Sequence, residues 1–205
     1  MNLTGMITSI LLVLTSSIEE RTPMQPIEAE KKLFEFETNQ SIDSLFITND
    51  TVMGGVSQGR LAWNPGGWLE FTGKVSLENN GGFASFRSKQ MDFGLTDQNC
   101  LWVHIKGDGK KYRISIGSDQ YRNGVYYYYE IETKEDAWMT ITAPLEKFVA
   151  RFRGRVIENA PTLQSENIES VGFMIADSQS GTFSLMVDWV RAGFAMNPKY
   201  GSSGN

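Results

Sequence analysis

Thiols and imidazoles are almost absent from this 205-residue sequence, which contains one cysteine and one histidine. Cys100 has no second thiol with which to form an intramolecular disulfide, and His104 cannot complete a zinc site of several cysteines or histidines. A calcium site made only of carboxylate oxygens is compatible with these counts. We therefore expect no cofactor and assign no metal-ligating residue.

The single histidine also limits the enzymatic readings of the chain. Residues 55–59 fit G-x-S-x-G, the turn that presents the serine of an α/β-hydrolase. That turn requires a helix directly after Ser57 and a histidine late in the chain, whereas residues 64–67 read Asn-Pro-Gly-Gly and end the segment. We interpret Ser57 as structural and expect a protein without catalytic residues. Two facing carboxylates in a cleft would favour the weaker alternative, an acid–base enzyme.

Basic segments and long apolar runs are also missing. The formal net charge is -5, and no stretch concentrates enough Lys and Arg to bind phosphates, which excludes a nucleic-acid partner. Arg151, Arg153 and Arg155 come closest, and we interpret them as the solvated edge of a strand. The apolar run at residues 6–14 is too short to span a bilayer as a helix.

The two ends of the chain differ in character from its centre. Residues 6–14 and the small polar residues 15–17 resemble the apolar region and cleavage zone of a signal peptide, although no basic residue precedes them. We expect residues 1–17 to be a signal peptide or a tail and favour an exported, periplasmic location over the cytoplasm. Residues 18–32 are predicted to be a linker, residues 33–193 one β-sandwich domain, and residues 194–205 a C-terminal tail.

Short segments of period two recur through the central region between clusters of Gly, Asn and Asp. In residues 68–77, for example, Leu69, Phe71 and Val75 alternate with polar side chains. This pattern predicts an all-β sandwich or barrel with little helix, apart from a short helical turn after Pro144.

Two pairs of these strands are expected to be antiparallel neighbours. Residues 101–106 and 112–116 are separated by Gly107-Asp108-Gly109, a sequence typical of a hairpin turn. Residues 170–176 and 182–192 are expected to form a second, apolar hairpin at the end of the domain.

Three loops stand out as candidates for binding, namely residues 49–57, 79–82 and 107–109. The first is longer than a plain turn and contains Val52 and Met53, which have the character of buried residues. We expect the three loops to lie together and form a surface on which aspartates accept and an arginine donates hydrogen bonds. The candidate site residues are Asn49, Asp50, Met53, Gly54, Gly55, Ser57, Asn79, Asn80, Arg87 and Asp108.

Several motifs taken together resemble the complex I intermediate-associated protein 30 family. They are residues 49–57 (Asn-Asp-Thr-Val-Met-Gly-Gly-Val-Ser), residues 77–85, residues 106–109 with Tyr112, and, further on, Trp138, Pro144, Phe148, residues 153–155 and residues 172–177. The match extends from about Phe34 to Ala192. The chain departs from mitochondrial members in its first residues, which lack an Arg-rich amphipathic presequence.

The resemblance implies a galactose-binding-like β-sandwich of jelly-roll type without catalysis. It also implies a chaperone-like assembly factor of respiratory complex I (NADH:ubiquinone oxidoreductase), whose partners would be subunits or intermediates of that complex. The same resemblance suggests a distant similarity to carbohydrate-binding modules. A carbohydrate-binding domain is therefore the alternative, with Trp63, Trp68, Trp102, Trp138 or residues 126–129 supplying flat rings for sugars. Because neighbouring side chains of a strand point to opposite faces, at most half of residues 126–129 can share one site.

Overall fold

The computed structural model describes residues 30–121 and 124–195, with thirteen strands and no α-helix in that part of the chain. The strands are β1 (Lys31–Glu35), β2 (Leu45–Asn49), β3 (Gln58–Asn64), β4 (Trp68–Val75), β5 (Ala84–Ser88), β6 (Cys100–Lys106), β7 (Lys111–Ser118), β8 (Val125–Glu132), β9 (Trp138–Pro144), β10 (Val149–Phe152), β11 (Arg155–Val156), β12 (Ile168–Ile175) and β13 (Gly181–Gly193). The expected leader, most of the expected linker and the end of the expected tail lie outside the described residues.

The strands form two antiparallel sheets that pack face to face. Sheet A has the order β3-β4-β13-β6-β9, with β1 also paired to β13, and sheet B has the order β11-β10-β8-β7-β12-β5-β2. The expected all-β sandwich is thus confirmed. So is the helical turn after Pro144, which is a 3₁₀ turn at Leu145–Lys147. Within the described residues, we find no helix with the length and apolarity needed to cross a membrane.

The core between the sheets follows from the alternation seen in the sequence. On β4, Leu69, Phe71 and Val75 are buried against the opposite sheet. The ring of Phe71 lies 5.0 Å from that of Phe86 on β5, measured between centroids, so that an aromatic contact joins the two sheets. Burial of each such side chain stabilises the fold by about 1.5–3 kcal/mol.

The prediction of two hairpins is wrong, because the two strands of each pair lie in different sheets. Strand β6 pairs with β13 and β9 in sheet A, whereas β7 pairs with β8 and β12 in sheet B. Likewise β12 belongs to sheet B and β13 to sheet A. Both inner faces of a sandwich carry the same alternation, so the period of two cannot tell whether consecutive strands share a sheet. A true hairpin does join β3 to β4, where Asn64 pairs with Trp68.

The three candidate loops all lie at one end of the sandwich. Each connects the two sheets, from β2 to β3, from β4 to β5 and from β6 to β7. Strand β4 ends at Val75 opposite Gly181, the first residue of β13, and β3 begins opposite Lys74. Because β6 runs parallel to β4 on the other side of β13, its end points the same way. We call this end the loop end.

Candidate functional site: a pair of loops joined by a buried aspartate

A buried carboxylate lies at the centre of the loop end. Asp50 follows β2 directly, begins a 3₁₀ turn at Asp50–Met53 and is 1% exposed. Its carboxylate accepts hydrogen bonds from the N–H groups of Ser57 (2.9 Å), Gly82 (2.6 Å) and Phe83 (3.3 Å) and from the Ser57 hydroxyl (2.5 Å). These contacts join residues 50–57 to residues 76–83, which we call the loop pair.

The same hydrogen bonds keep this carboxylate charged. Burial by itself raises the pKa of the Asp50 carboxyl, but hydrogen bonds from Ser57, Gly82 and Phe83 outweigh burial and hold the pKa below its usual value. A buried, ionised carboxylate with four donors around it is a rigid anchor, because moving it away would leave several polar groups unpaired.

The backbone approaches the Asp50 side chain so closely that only glycine fits at two positions. A Cβ atom at Gly55 would lie 2.4 Å from the Cγ of Asp50, and one at Gly81 would lie 2.6 Å from its Oδ2. Gly54 ends the 3₁₀ turn with a φ of 92°, in the left-handed region that favours glycine. The glycine pairs in the two segments are therefore explained by the packing of backbone against one side chain.

Ser57 has a structural role that explains the G-x-S-x-G pattern without catalysis. Its hydroxyl donates to Asp50 and accepts a hydrogen bond from the N–H of Ser76 (2.9 Å), which links the start of β3 to the end of β4. The residue is fully buried and is followed by a strand, β3, where a hydrolase would have a helix.

The loop pair carries apolar side chains into solvent. Val52 is 71% exposed and Met53 66%, although both residue types are more often buried. Val56 and Leu77 on the same pair of segments are also exposed, at 43% and 46%. The reason is local: the 3₁₀ turn uses Asp50 as its buried residue, and the side chains that follow project outward. We call these four residues the apolar tips.

Asp108 fixes the third loop in a similar way. Its carboxylate accepts hydrogen bonds from the Tyr112 hydroxyl (2.9 Å), from the N–H of Ser184 (3.1 Å) and from the N–H of Lys110 (3.2 Å). Burial raises the pKa of the Tyr112 phenol, and the neighbouring Asp108 raises it further. The carboxylates of Asp50 and Asp108 are thus engaged inside the fold, and neither is presented outward as the sequence suggested.

The other predicted site residues are distributed unevenly. Asn79 and Asn80 are exposed at the loop end, both in left-handed conformation with φ of 54° and 58°. Asn49 is the last residue of β2, and its Oδ1 is buried without a hydrogen-bond partner among the described residues. Arg87 does not belong to the loop end, because it lies within β5 on the outer face of sheet B, where its guanidinium covers the ring of Tyr126 at 3.6 Å.

Some of the tryptophans considered for sugar binding make contacts within the fold. The Nε1 of Trp63 donates to the carbonyl of Phe36. On the outer face of sheet A, His104 stacks between Trp138 (4.9 Å) and Trp189 (5.4 Å), and its Nδ1 lies 2.7 Å from the carboxylate of Asp188. The stack covers one face of the Trp138 ring, and Trp138 remains 38% exposed.

Comparison with known proteins shows the family to which the chain belongs. The profile of the family "Complex I intermediate-associated protein 30 (CIA30)" matches residues 34–187. The chain belongs to this family. It is 24% identical over 191 residues to mouse mitochondrial complex I intermediate-associated protein 30, covering 82% of this chain and 58% of that protein. The Drosophila melanogaster protein is 24% identical over 180 residues, covering 77% of this chain and 61% of its own length. The chain thus spans about three fifths of these relatives.

Among solved structures, this family member is similar to carbohydrate-binding modules in fold. A family 11 module of Clostridium thermocellum, solved with a mixed-linked tetrasaccharide, aligns with a TM-score of 0.59 and 21% identity over 82% of this chain and 97% of the module. The agarase AgWH50C aligns with a TM-score of 0.55 and 13% identity over 83% of this chain and 26% of its own. These identities establish the shared sandwich and nothing about ligands.

Sequence reasoning found the loops of this CIA30 family member but missed which side chains they expose. Val52, Val56 and Leu77 were not assigned to the site. Their only signal was an apolar residue type within or beside the candidate loops, which also fits a buried contact. Only the position of the Asp50 carboxylate shows whether these apolar side chains are exposed or buried.

Proposed function

We propose that this chain is a non-catalytic, chaperone-like module that binds a protein partner through the apolar tips during assembly of respiratory complex I. Membership of the CIA30 family supports the assembly role, since the curated relatives carry that name. The observation that supports the binding surface is the exposure of Val52 and Met53 on loops fixed by Asp50.

Rigid support distinguishes the apolar tips from ordinary exposed side chains. Exposed apolar residues on a mobile loop would have to be ordered on binding, and that ordering opposes association. Here four hydrogen bonds to a buried carboxylate order the loop pair beforehand. Full burial of an apolar side chain of this size contributes about 1.5–3 kcal/mol, so the tips would offset part of the cost of association.

The surroundings of the tips fit a protein surface. Val56 and Leu77 border a shallow depression whose other walls include Lys74, Glu78 and Ser180. An apolar centre with charges of both signs at its rim is typical of transient protein interfaces. A partner with an exposed apolar ridge, such as an incompletely assembled subunit, would complement it.

The experiment is affinity capture from the native extract of the source organism, using the full chain and quantifying complex I subunits by mass spectrometry. The test variant carries Val52→Asp and Met53→Asp. The matched control carries Val156→Asp and Met91→Asp, which replace the same two residue types, equally add two negative charges and also change exposed side chains.

We expect the test variant to lose complex I subunits while the control retains them, with both variants unfolding at the wild-type temperature. Equal recovery from both variants would contradict the assignment of the tips. Recovery of no complex I subunit by the wild-type chain, together with selective binding to a glycan array, would contradict the assembly role and favour the carbohydrate alternative.

A further inference from the structure

The outer face of sheet B contains a cavity whose charged lining residues are all cationic. Its volume is about 390 Å³, and its lining includes Arg87, Lys89, Tyr121 and Tyr126 together with several serines. No Asp or Glu is found among the described residues that line it. In a chain with a net charge of -5, such a lining stands out. The volume lies within the range of sites for small molecules.

Small residues in the middle of the sheet create this cavity. Arg87 on β5 and Tyr126 on β8 are three strands apart, or about 14 Å at the usual strand spacing. The strands between them contribute Gly172 and Gly117, so both long side chains can lie flat and meet above the sheet. At Gly117 a Cβ atom would lie 2.3 Å from the Oγ of Ser170, which shows how tightly this floor is packed.

The stack on Tyr126 orients the Arg87 guanidinium. Its carbon lies 3.6 Å from the centroid of the Tyr126 ring, so the ring supports the guanidinium from one side. A guanidinium held in this way is ordered before a ligand arrives. Its N–H groups form the planar fork that matches carboxylate and phosphate oxygens.

Arg87 differs from the other arginines of this face in having no carboxylate partner. Arg113 donates to Glu130 (3.1 Å) and Asp177 (2.6 Å), and Arg151 lies 3.8 Å from Glu130. Among the residues that the structure describes, Arg87 makes no ion pair, and its Nε is buried without an acceptor. The nearby carboxylate of Glu169 accepts a hydrogen bond from Gln90 at the rim of the cavity.

We propose that this cavity binds a small molecule through an oxyanion, a carboxylate or a phosphate, which Arg87 holds with its guanidinium N–H groups. Lys89 adds a second positive charge at the exposed side. The body of the ligand rests against Phe46, which is 45% exposed, and Tyr121. This site is independent of the apolar tips, which lie at the loop end of the sandwich.

The test compares three probes with the same hexose ring: D-glucuronate, D-glucose 6-phosphate and neutral D-glucose. Each is titrated into the full-length ¹⁵N-labelled chain while amide chemical shifts are recorded. We expect at least one anion to shift the amides of Arg87, Gly172 and Tyr126 and glucose to leave them unchanged. The two anionic arms distinguish a carboxylate ligand from a phosphate ligand.

Variants connect binding to the guanidinium. Arg87→Gln is expected to weaken binding of the anion at least about tenfold, because a charged hydrogen-bond donor is lost. Arg87→Lys keeps the positive charge but loses the planar pair of N–H donors. Its affinity for the anion should lie between those of the wild type and Arg87→Gln. The control is Arg60→Gln, an identical change at an exposed arginine of sheet A, which should bind as the wild type does.

Three results would overturn the proposal. The first is equal binding of glucose and the anions, which would indicate a neutral sugar site. The second is a set of shifts confined to residues away from Arg87. The third is the absence of shifts with either anion at about 10 mM, well above the dissociation constant expected for a weak specific ligand. The comparison of probes on the wild-type chain holds even if Arg87→Gln fails to fold.

Discussion

The hydroxyl of Ser57 donates a 2.5 Å hydrogen bond to the carboxylate of Asp50, and neither residue reaches solvent. This contact closes the first loop on itself, while Gly82 and Phe83 attach the second loop to the same carboxylate. The apolar tips therefore sit on a frame whose rigidity depends on one ionised side chain. Four predictions follow from this frame and from the core beneath it.

Replacing Asp50 by asparagine should destabilise the fold by about 2–3 kcal/mol, because the amide offers fewer acceptors and turns a donor toward backbone N–H groups. Urea unfolding of the full chain measures this. The control is Asp43→Asn, the same change at an exposed aspartate, which should stay within about 0.5 kcal/mol of the wild type. Similar losses from both variants would show that Asp50 is not the anchor.

Part of the loss of wild-type stability at low pH should come from Asp50, and Asp50→Asn should lack that part. The pKa of Asp50 is lower in the folded chain than its ordinary value of 3.8, so the charged form stabilises the fold. This contribution is complete well above the ordinary pKa and is lost as pH falls from about 4 through the folded-state pKa. The difference in unfolding free energy between wild type and variant, measured from pH 7 downward, should therefore narrow below about pH 4. A difference that is constant down to pH 2 would contradict this linkage.

Alanine at Gly55 should cost more stability than alanine at Gly54. At Gly55 the new methyl group would lie 2.4 Å from Asp50, so the carboxylate must move, and we expect a loss of about 3 kcal/mol. At Gly54 there is open space around the added atom, and the cost is the positive φ alone, about 1–2 kcal/mol. Guanidinium chloride unfolding of both variants checks the order. The reverse order would show that backbone strain outweighs the packing around Asp50.

Cys100 should resist alkylation in the folded chain. The side chain is fully buried, burial raises the pKa of its thiol, and the Sγ contacts the carbonyl of Gly193. Iodoacetamide labelling followed by mass spectrometry should therefore be slow at pH 7.5 and become rapid in denaturant. Fast labelling of the native chain would mean that the junction of β6 and β13 opens readily.

Part of the candidate site could be read from the sequence. The loop of residues 49–57 was identified by its length and residue types. Within it, the structure gives a packing or hydrogen-bonding role to Asp50, Gly55 and Ser57 and a turn-ending role to Gly54. The roles of the side chains could not be read. An aspartate in a loop can accept hydrogen bonds either from a ligand or from backbone N–H groups of its own chain. The distances around Asp50 show that it accepts them from backbone N–H groups. Arg87 was grouped with the loops although it lies on a different face, because its position depends on how β5 is placed in sheet B.

The sequence by itself determined the all-β class, since short alternating segments between Gly and Asn clusters bury their apolar faces in packed or closed sheets. It also determined where the chain must bend, because glycine tolerates the close contacts and positive φ angles that turns require. Tertiary structure alone decided which strands are neighbours. Residues such as Ile105 and Ile114 carry the same period and are both buried, yet they belong to different sheets. That choice depends on hydrogen bonds between strands distant in sequence, and it is what brings Arg87 to Tyr126 and both loops to Asp50.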